Sequence, residues 1–128
     1  MSTPFALIIE DHRATALIFT TALQTAGYRT ETIASGELAE QRLLEVVPDM
    51  IILDMHLPSI SGQKLLAQIR QDERLKLTRV IVATADAALA SGLRDKPDLV
   101  LVKPVSFDQL TLLSKRLKPK DESNLNGL

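Results

Sequence analysis

Short apolar runs alternate with helix-period segments along the whole chain, and each buried-type run stops abruptly at a polar or charged residue. Phe5-Ala6-Leu7-Ile8-Ile9 stops at Glu10-Asp11, and Met50-Ile51-Ile52-Leu53 stops at Asp54. Val80-Ile81-Val82-Ala83 ends at Thr84, and Leu99-Val100-Leu101-Val102 ends at Lys103-Pro104. Runs this short, apolar at every position, are those of strands covered on both faces of a parallel sheet. The segment Arg29–Ile33 is polar at alternate positions and reads as an edge strand.

The intervening segments carry helix signals. Residues 13–26 place Ala14, Leu17, Ile18, Ala22 and Thr25 along one stripe, and Gly27 closes the helix. Ser35 caps a second helix in which Ala39, Leu43 and Val46 share a face and which Pro48 stops. A third, over residues 63–71, turns Leu65, Leu66 and Ile69 inward. The alanine-rich residues 86–91 make a short helix ended by Gly92. Ser106 and Gln109 form a capping box for the last helix, with Leu110, Leu113 and Leu117 at helical spacing.

Five strand–helix units imply an α/β fold: a five-stranded parallel sheet with helices on both faces, because right-handed crossovers are nearly obligatory. In the common strand order 2-1-3-4-5, the first and third strands flank the switch point where such sheets bind ligands. Glu10, Asp11 and Asp54 then converge on one crevice, with Thr84 and Lys103 on the same rim. Three carboxylates repel one another unless a cation sits among them. A hard divalent ion with oxygen ligands meets that need, and so does Lys103. Mg²⁺ is the expected ion, with Mn²⁺ as a substitute. A carboxylate beside a cation and a lysine is equipped to attack a phosphoryl group, and Asp54 is the candidate. Taken singly, Asp54 is an ordinary turn residue after a strand, and Glu10-Asp11 an acidic turn favouring a helix N-terminus. It is their convergence that favours the chemistry.

With 128 residues the chain fits one domain with a real core. Its formal net charge is −1 and no basic stretch is dense enough to follow a phosphate backbone, which argues against direct nucleic-acid binding by this domain. There are no cysteines, so disulfides and thiolate metal sites are excluded and a cytoplasmic home is expected. No signal-peptide pattern or membrane-length apolar run is present.

These residues resemble the receiver domain of two-component response regulators, over residues 4–118, with residues 119–128 as a polar tail or the start of a linker. The matching elements are Ile8-Ile9-Glu10-Asp11, Ile51-Ile52-Leu53-Asp54-Met55 with Leu57-Pro58 and Gly62, Ala83-Thr84-Ala85, and Lys103-Pro104. The resemblance implies the flavodoxin-like (CheY-like) fold and a signalling switch rather than a turnover enzyme. It implies that Asp54 accepts a phosphoryl group from a sensor histidine kinase or a histidine phosphotransfer protein. It implies Mg²⁺ on Glu10, Asp11, Asp54 and the backbone carbonyl of His56, Thr84 and Lys103 as ligands of the phosphate, and a cis Lys103–Pro104 bond. His56 and Asp86, each two residues past a site residue, hold positions that tune phosphoaspartate lifetime in such domains. His12 is read instead as a surface residue at a helix start.

Three features depart from the family pattern. Val100 stands where an aromatic residue usually lies, and Thr84 and Lys103 are closer in sequence than usual, which predicts a shortened or irregular fourth helix. Arg94-Asp95-Lys96-Pro97-Asp98 replaces a Gly-Ala-rich turn. The chemical site is therefore expected to be intact and the usual output surface altered, with a monomer before phosphorylation. The competing readings are a phosphorylation-independent interaction module and a hydrolase with an aspartate nucleophile. Against the hydrolase, His56 occupies the position of the usual second Asp. A nucleotide-binding fold is weaker still, for no phosphate-cradling glycine loop follows the first strand.

Overall fold

A computed structural model describes residues 3–93 and 97–119. The elements in chain order are β1 (Phe5–Ile9), α1 (Arg13–Thr25), β2 (Arg29–Ile33), α2 (Gly36–Leu43) and β3 (Met50–Asp54). They continue with α3 (Gly62–Gln71), a 3₁₀ turn (Glu73–Leu75), β4 (Arg79–Thr84), α4 (Ala87–Gly92), β5 (Leu99–Val102) and α5 (Phe107–Arg116). The strands form one sheet in the order β2-β1-β3-β4-β5, with every pairing parallel. β2 lies at an edge, as its polar alternation predicts.

Alternate residues of each central strand feed two separate cores. Leu7, Ile9, Ile51, Leu53, Val80 and Val82 pack under α2 and α3 with Leu43, Leu65, Leu66 and Ile69. Ala6, Ile8, Met50, Ile52, Ile81 and Ala83 pack under α1 and α5 with Phe19, Leu23 and Leu110. This double burial is why β1 throughout, and β3 up to Leu53, are apolar at every position. Gly27 ends α1 with φ +100°, a backbone state that costs a residue with a side chain.

The stripe expected on α1 is not the one that is buried. Ala16, Phe19, Ala22 and Leu23 face the sheet, whereas Leu17 is 67% and Ile18 46% exposed. Ala14 and Thr25 are exposed as well. Apolar residues surround this helix, so two stripes compete. The chosen one buries the large ring of Phe19 and sets Ala16 and Ala22 where the helix approaches closely. α2 also stops earlier than Pro48, at Leu43, where the Arg74 guanidinium donates to the carbonyls of Leu43 and Leu44. Val46 remains packed against the core from beyond the helix end. α4 has only six residues, none of them buried, in line with the predicted shortening. Of the departing turn, Arg94, Asp95 and Lys96 lie outside the described residues.

Asp98 ties the start of β5 to its neighbours. Its carboxylate accepts from the Val80 N–H at 2.7 Å, from Arg70 at 2.8 Å and from Arg79 at 3.2 Å. Burial pushes its pKa up, but these donors outweigh it and the net shift is downward. A carboxyl depressed on folding adds stability that is present above its unfolded pKa and lost as pH falls through the folded one. Asp98→Ala should therefore cost about 1–3 kcal/mol at neutral pH. In urea titrations its gap to the wild type should narrow as pH drops below the ordinary carboxylate range.

Candidate functional site

The parallel register carries the chemistry-bearing residues to one edge. Ile9 pairs with Leu53, Asp54 with Ala83, and Thr84 with Val102, so the residues ending β1, β3, β4 and β5 lie side by side. Glu10 is 2% and Asp54 4% exposed, Thr84 is fully buried, and Asp11 is open to solvent.

The carboxylates are held by main-chain donors as well as by a lysine. The His12 N–H donates to Glu10 Oε2 at 3.1 Å, and the His56 N–H donates to Asp54 Oδ1 at 3.2 Å. Lys103 Nζ lies 2.6 Å from Glu10 Oε1 and 3.4 Å from Asp54 Oδ1. Burial raises the Glu10 pKa, and the charge of Asp54 acts in the same direction; Lys103 and the His12 N–H oppose them. Even so, Glu10, Asp11 and Asp54 each present a carboxylate oxygen within 4.8 Å of the others. One ammonium among three carboxylates leaves the crevice short of positive charge. An all-oxygen donor set of this kind fits a small hard cation.

The backbone beneath the site is tight. The Gly62 N–H donates to the Met55 carbonyl at 3.2 Å, and Ser61 caps α3 through the Lys64 N–H. A Cβ at Gly62 would stand 2.4 Å from Met55 Cα and 2.5 Å from the Asp54 carbonyl oxygen. Gly62 is therefore what lets α3 start against the loop that carries Asp54.

The structure thus brings Glu10, Asp11, Asp54 and Lys103 together, with Thr84 on the adjoining strand end. The Lys103–Pro104 bond is cis, as expected. His56 reaches the site through its backbone, and its side chain is exposed. Asp86 caps α4 through the Leu89 N–H at 3.1 Å, while its own N–H donates to Thr84 Oγ1 at 3.1 Å. His12 caps α1, its Nδ1 facing the Thr15 N–H at 3.4 Å, in keeping with a helix-start role. The sequence reading missed the two main-chain donors. Any residue type supplies an N–H, so no side-chain pattern marks them.

The family model for the response regulator receiver domain matches residues 6–115, and the chain belongs to that family. It is 33% identical over 129 residues to the phosphate regulon transcriptional regulatory protein PhoB of Rhizobium meliloti (strain 1021), covering 95% of this chain and 57% of that protein. It is 32% identical over 123 residues to the probable methanogenesis regulatory protein FilR2 of Methanothrix harundinacea (strain 6Ac), covering 88% of this chain and 79% of that one. The crystal structure of a putative response regulator from Chloroflexus aurantiacus J-10-fl superposes with a TM-score of 0.82 at 28% identity. That match covers 91% of this chain and 98% of the other. The chain thus spans little more than half the length of the PhoB relative. It is a receiver domain of the two-component response regulators, a class of phosphoacceptor switches.

Gly62→Ala should lower stability by about 1–3 kcal/mol through overpacking. Thermal unfolding checks this, and a variant as stable as the wild type would show that the loop can yield.

Proposed function

We propose that Asp54 is the phosphoacceptor of this receiver domain and that its donor is a phosphohistidine on a sensor histidine kinase or a histidine phosphotransfer protein. The observation that carries this reading is the buried Asp54 carboxylate beside the Lys103 ammonium and two further acids. An Asp54 oxygen attacks phosphorus, forming a P–O bond as the P–N bond to the donor imidazole breaks. The leaving nitrogen keeps the electron pair and takes a proton from solvent. Lys103 faces the carboxylate at 3.4 Å and is placed to pair with a phosphoryl oxygen. The Thr84 hydroxyl accepts from the Asp86 N–H, which leaves its hydrogen to donate to the phosphoryl group. The His56 N–H fixes the carboxylate rotamer, so little reorganisation precedes attack.

Mg²⁺, or Mn²⁺ in its place, would be held by Glu10, Asp11, Asp54 and the His56 carbonyl. When bound, it supplies charge neutralisation for the phosphoryl oxygens. The acid-rich donor set supports this assignment. No helix among the described residues is long and apolar enough to cross a membrane, which is compatible with work in the cytoplasm. Domain limits of about 4–118 follow the last packed turn, where Leu117 meets the core.

Intact-protein mass after incubation with Mg²⁺ and acetyl phosphate tests the proposal. Wild type should gain one labile phosphoryl group, which Asp54→Asn and chelated samples lack. An adduct that survives in Asp54→Asn would move the acceptor elsewhere. No adduct, together with no beryllofluoride binding, would favour the phosphorylation-independent interaction module.

A further inference from the structure

Two helices open on the same dipeptide, Ser35-Gly36 at α2 and Ser61-Gly62 at α3. Each serine caps its helix by accepting a first-turn N–H, from Leu38 and from Lys64. The glycines need another reason. Both are buried, and neither has the positive φ that favours glycine. A helical backbone by itself prefers alanine. Something outside each helix therefore excludes a side chain. For Gly62 the obstacle is the Asp54–Met55 backbone. For Gly36 it is the far end of the same loop: a Cβ there would stand 2.7 Å from the Ile60 carbonyl oxygen and 2.9 Å from Ile60 Cβ. Neither atom can swing aside as the tip of a long side chain would.

The loop after Asp54 thus rests on α2 at Ile60 and on its own strand end at Gly62. Between His56 and Ile60 it has little freedom to absorb a displacement. The Ile60 N–H donates to the Pro58 carbonyl at 2.9 Å, around Ser59 with φ +66°. The ring of Pro58 fixes its own φ, and Leu57 packs against the core under α2 and α3. The start of α2 is tied to the first acidic strand end as well. The Glu10 N–H donates to the Ile33 carbonyl at 3.0 Å, and Gly36 follows Ile33 by three residues. One short stretch therefore meets the backbone beyond both strands that end in carboxylates.

We propose that Gly36 is a positioning residue for the phosphoacceptor site: its bare Cα lets the loop after Asp54 settle onto α2 at Ile60, which sets where the His56 N–H and carbonyl stand relative to Asp54. The inference rests on the reading of Asp54 as acceptor and of the His56 carbonyl as a cation ligand. A side chain at position 36 lifts Ile60, and the stiff turn passes the shift to His56. Groups that hold a metal's ligands in place change its affinity by about tenfold to a hundredfold when they are altered.

The test is amide NMR and Mg²⁺ titration of the full chain, as wild type, Gly36→Ala and Leu43→Val. Leu43→Val thins the core at the other end of α2 and controls for lost stability. Gly36→Ala should move the His56 amide before any metal is added and weaken Mg²⁺ binding by about tenfold. Leu43→Val should bind Mg²⁺ as wild type does. Ile60→Gly removes one clashing atom and lets the carbonyl retreat, so Gly36→Ala should cost less affinity in that background than in wild type. Should Gly36→Ala alone not fold, the double variant compared with Ile60→Gly carries the same two readouts. An unmoved His56 amide, equal Mg²⁺ affinity, a loss shared equally by Leu43→Val, or strict additivity with Ile60→Gly would each overturn the proposal. A wild type that neither binds Mg²⁺ nor gains a phosphoryl label would sink the acceptor reading and this inference together. A wild type that does both, matched in both by Gly36→Ala, would overturn this inference alone.

Discussion

The ammonium of Lys103, 2.6 Å from Glu10 and 3.4 Å from Asp54, joins the two ends of the chain's logic, because it lets buried acids share one crevice. At an effective dielectric near 20, a charge pair at such separations interacts by roughly 5–6 kcal/mol. Attraction to one lysine is thus opposed by repulsion among three carboxylates of similar size. Lys103 makes the folded crevice tolerable without making it neutral. The remaining negative charge suits the crevice to a cation and, on the proposed reading, to the anionic phosphoryl group that Asp54 would accept. Stability is given up locally for binding capacity, a trade common at functional sites.

Everything else in the fold keeps that crevice in register. Parallel pairing aligns the strand ends, so acids from β1 and β3 and the lysine after β5 meet although 93 residues separate Glu10 from Lys103. Two cores, one on each face, hold the sheet from both sides. Gly62 lets α3 begin against the loop bearing Asp54, and Asp98 clamps β5 to β4 and α3. The weakest part is α4, six residues capped by Asp86, whose N–H is bound to the hydroxyl of Thr84. This short helix is therefore wired directly to the site.

Sheet, strand order and the convergence of Glu10, Asp11, Asp54 and Lys103 were legible because they rest on local composition: uninterrupted apolar runs, abrupt acidic ends, turn glycines and capping serines. The rotation of α1 was not legible. Apolar residues at Leu17 and Ile18 compete with Phe19 and Leu23, and only the packed sheet and α5 decide between them. The Arg70–Asp98–Arg79 cluster and the Arg74 contacts that end α2 join residues distant in sequence, so no motif announces them. The main-chain donors of His12 and His56 are invisible to side-chain reasoning for the reason given above.

With one ammonium among three carboxylates, the crevice is short of positive charge. Thermal unfolding of wild type and Asp54→Asn across a Mg²⁺ titration tests it most directly. Asp54→Asn should melt higher than wild type without Mg²⁺. Wild type should then gain roughly 5–10 °C, saturably, near a hundredfold excess over Kd, and the variant should gain much less. A wild type insensitive to Mg²⁺, or a variant that melts lower and responds equally, would contradict it.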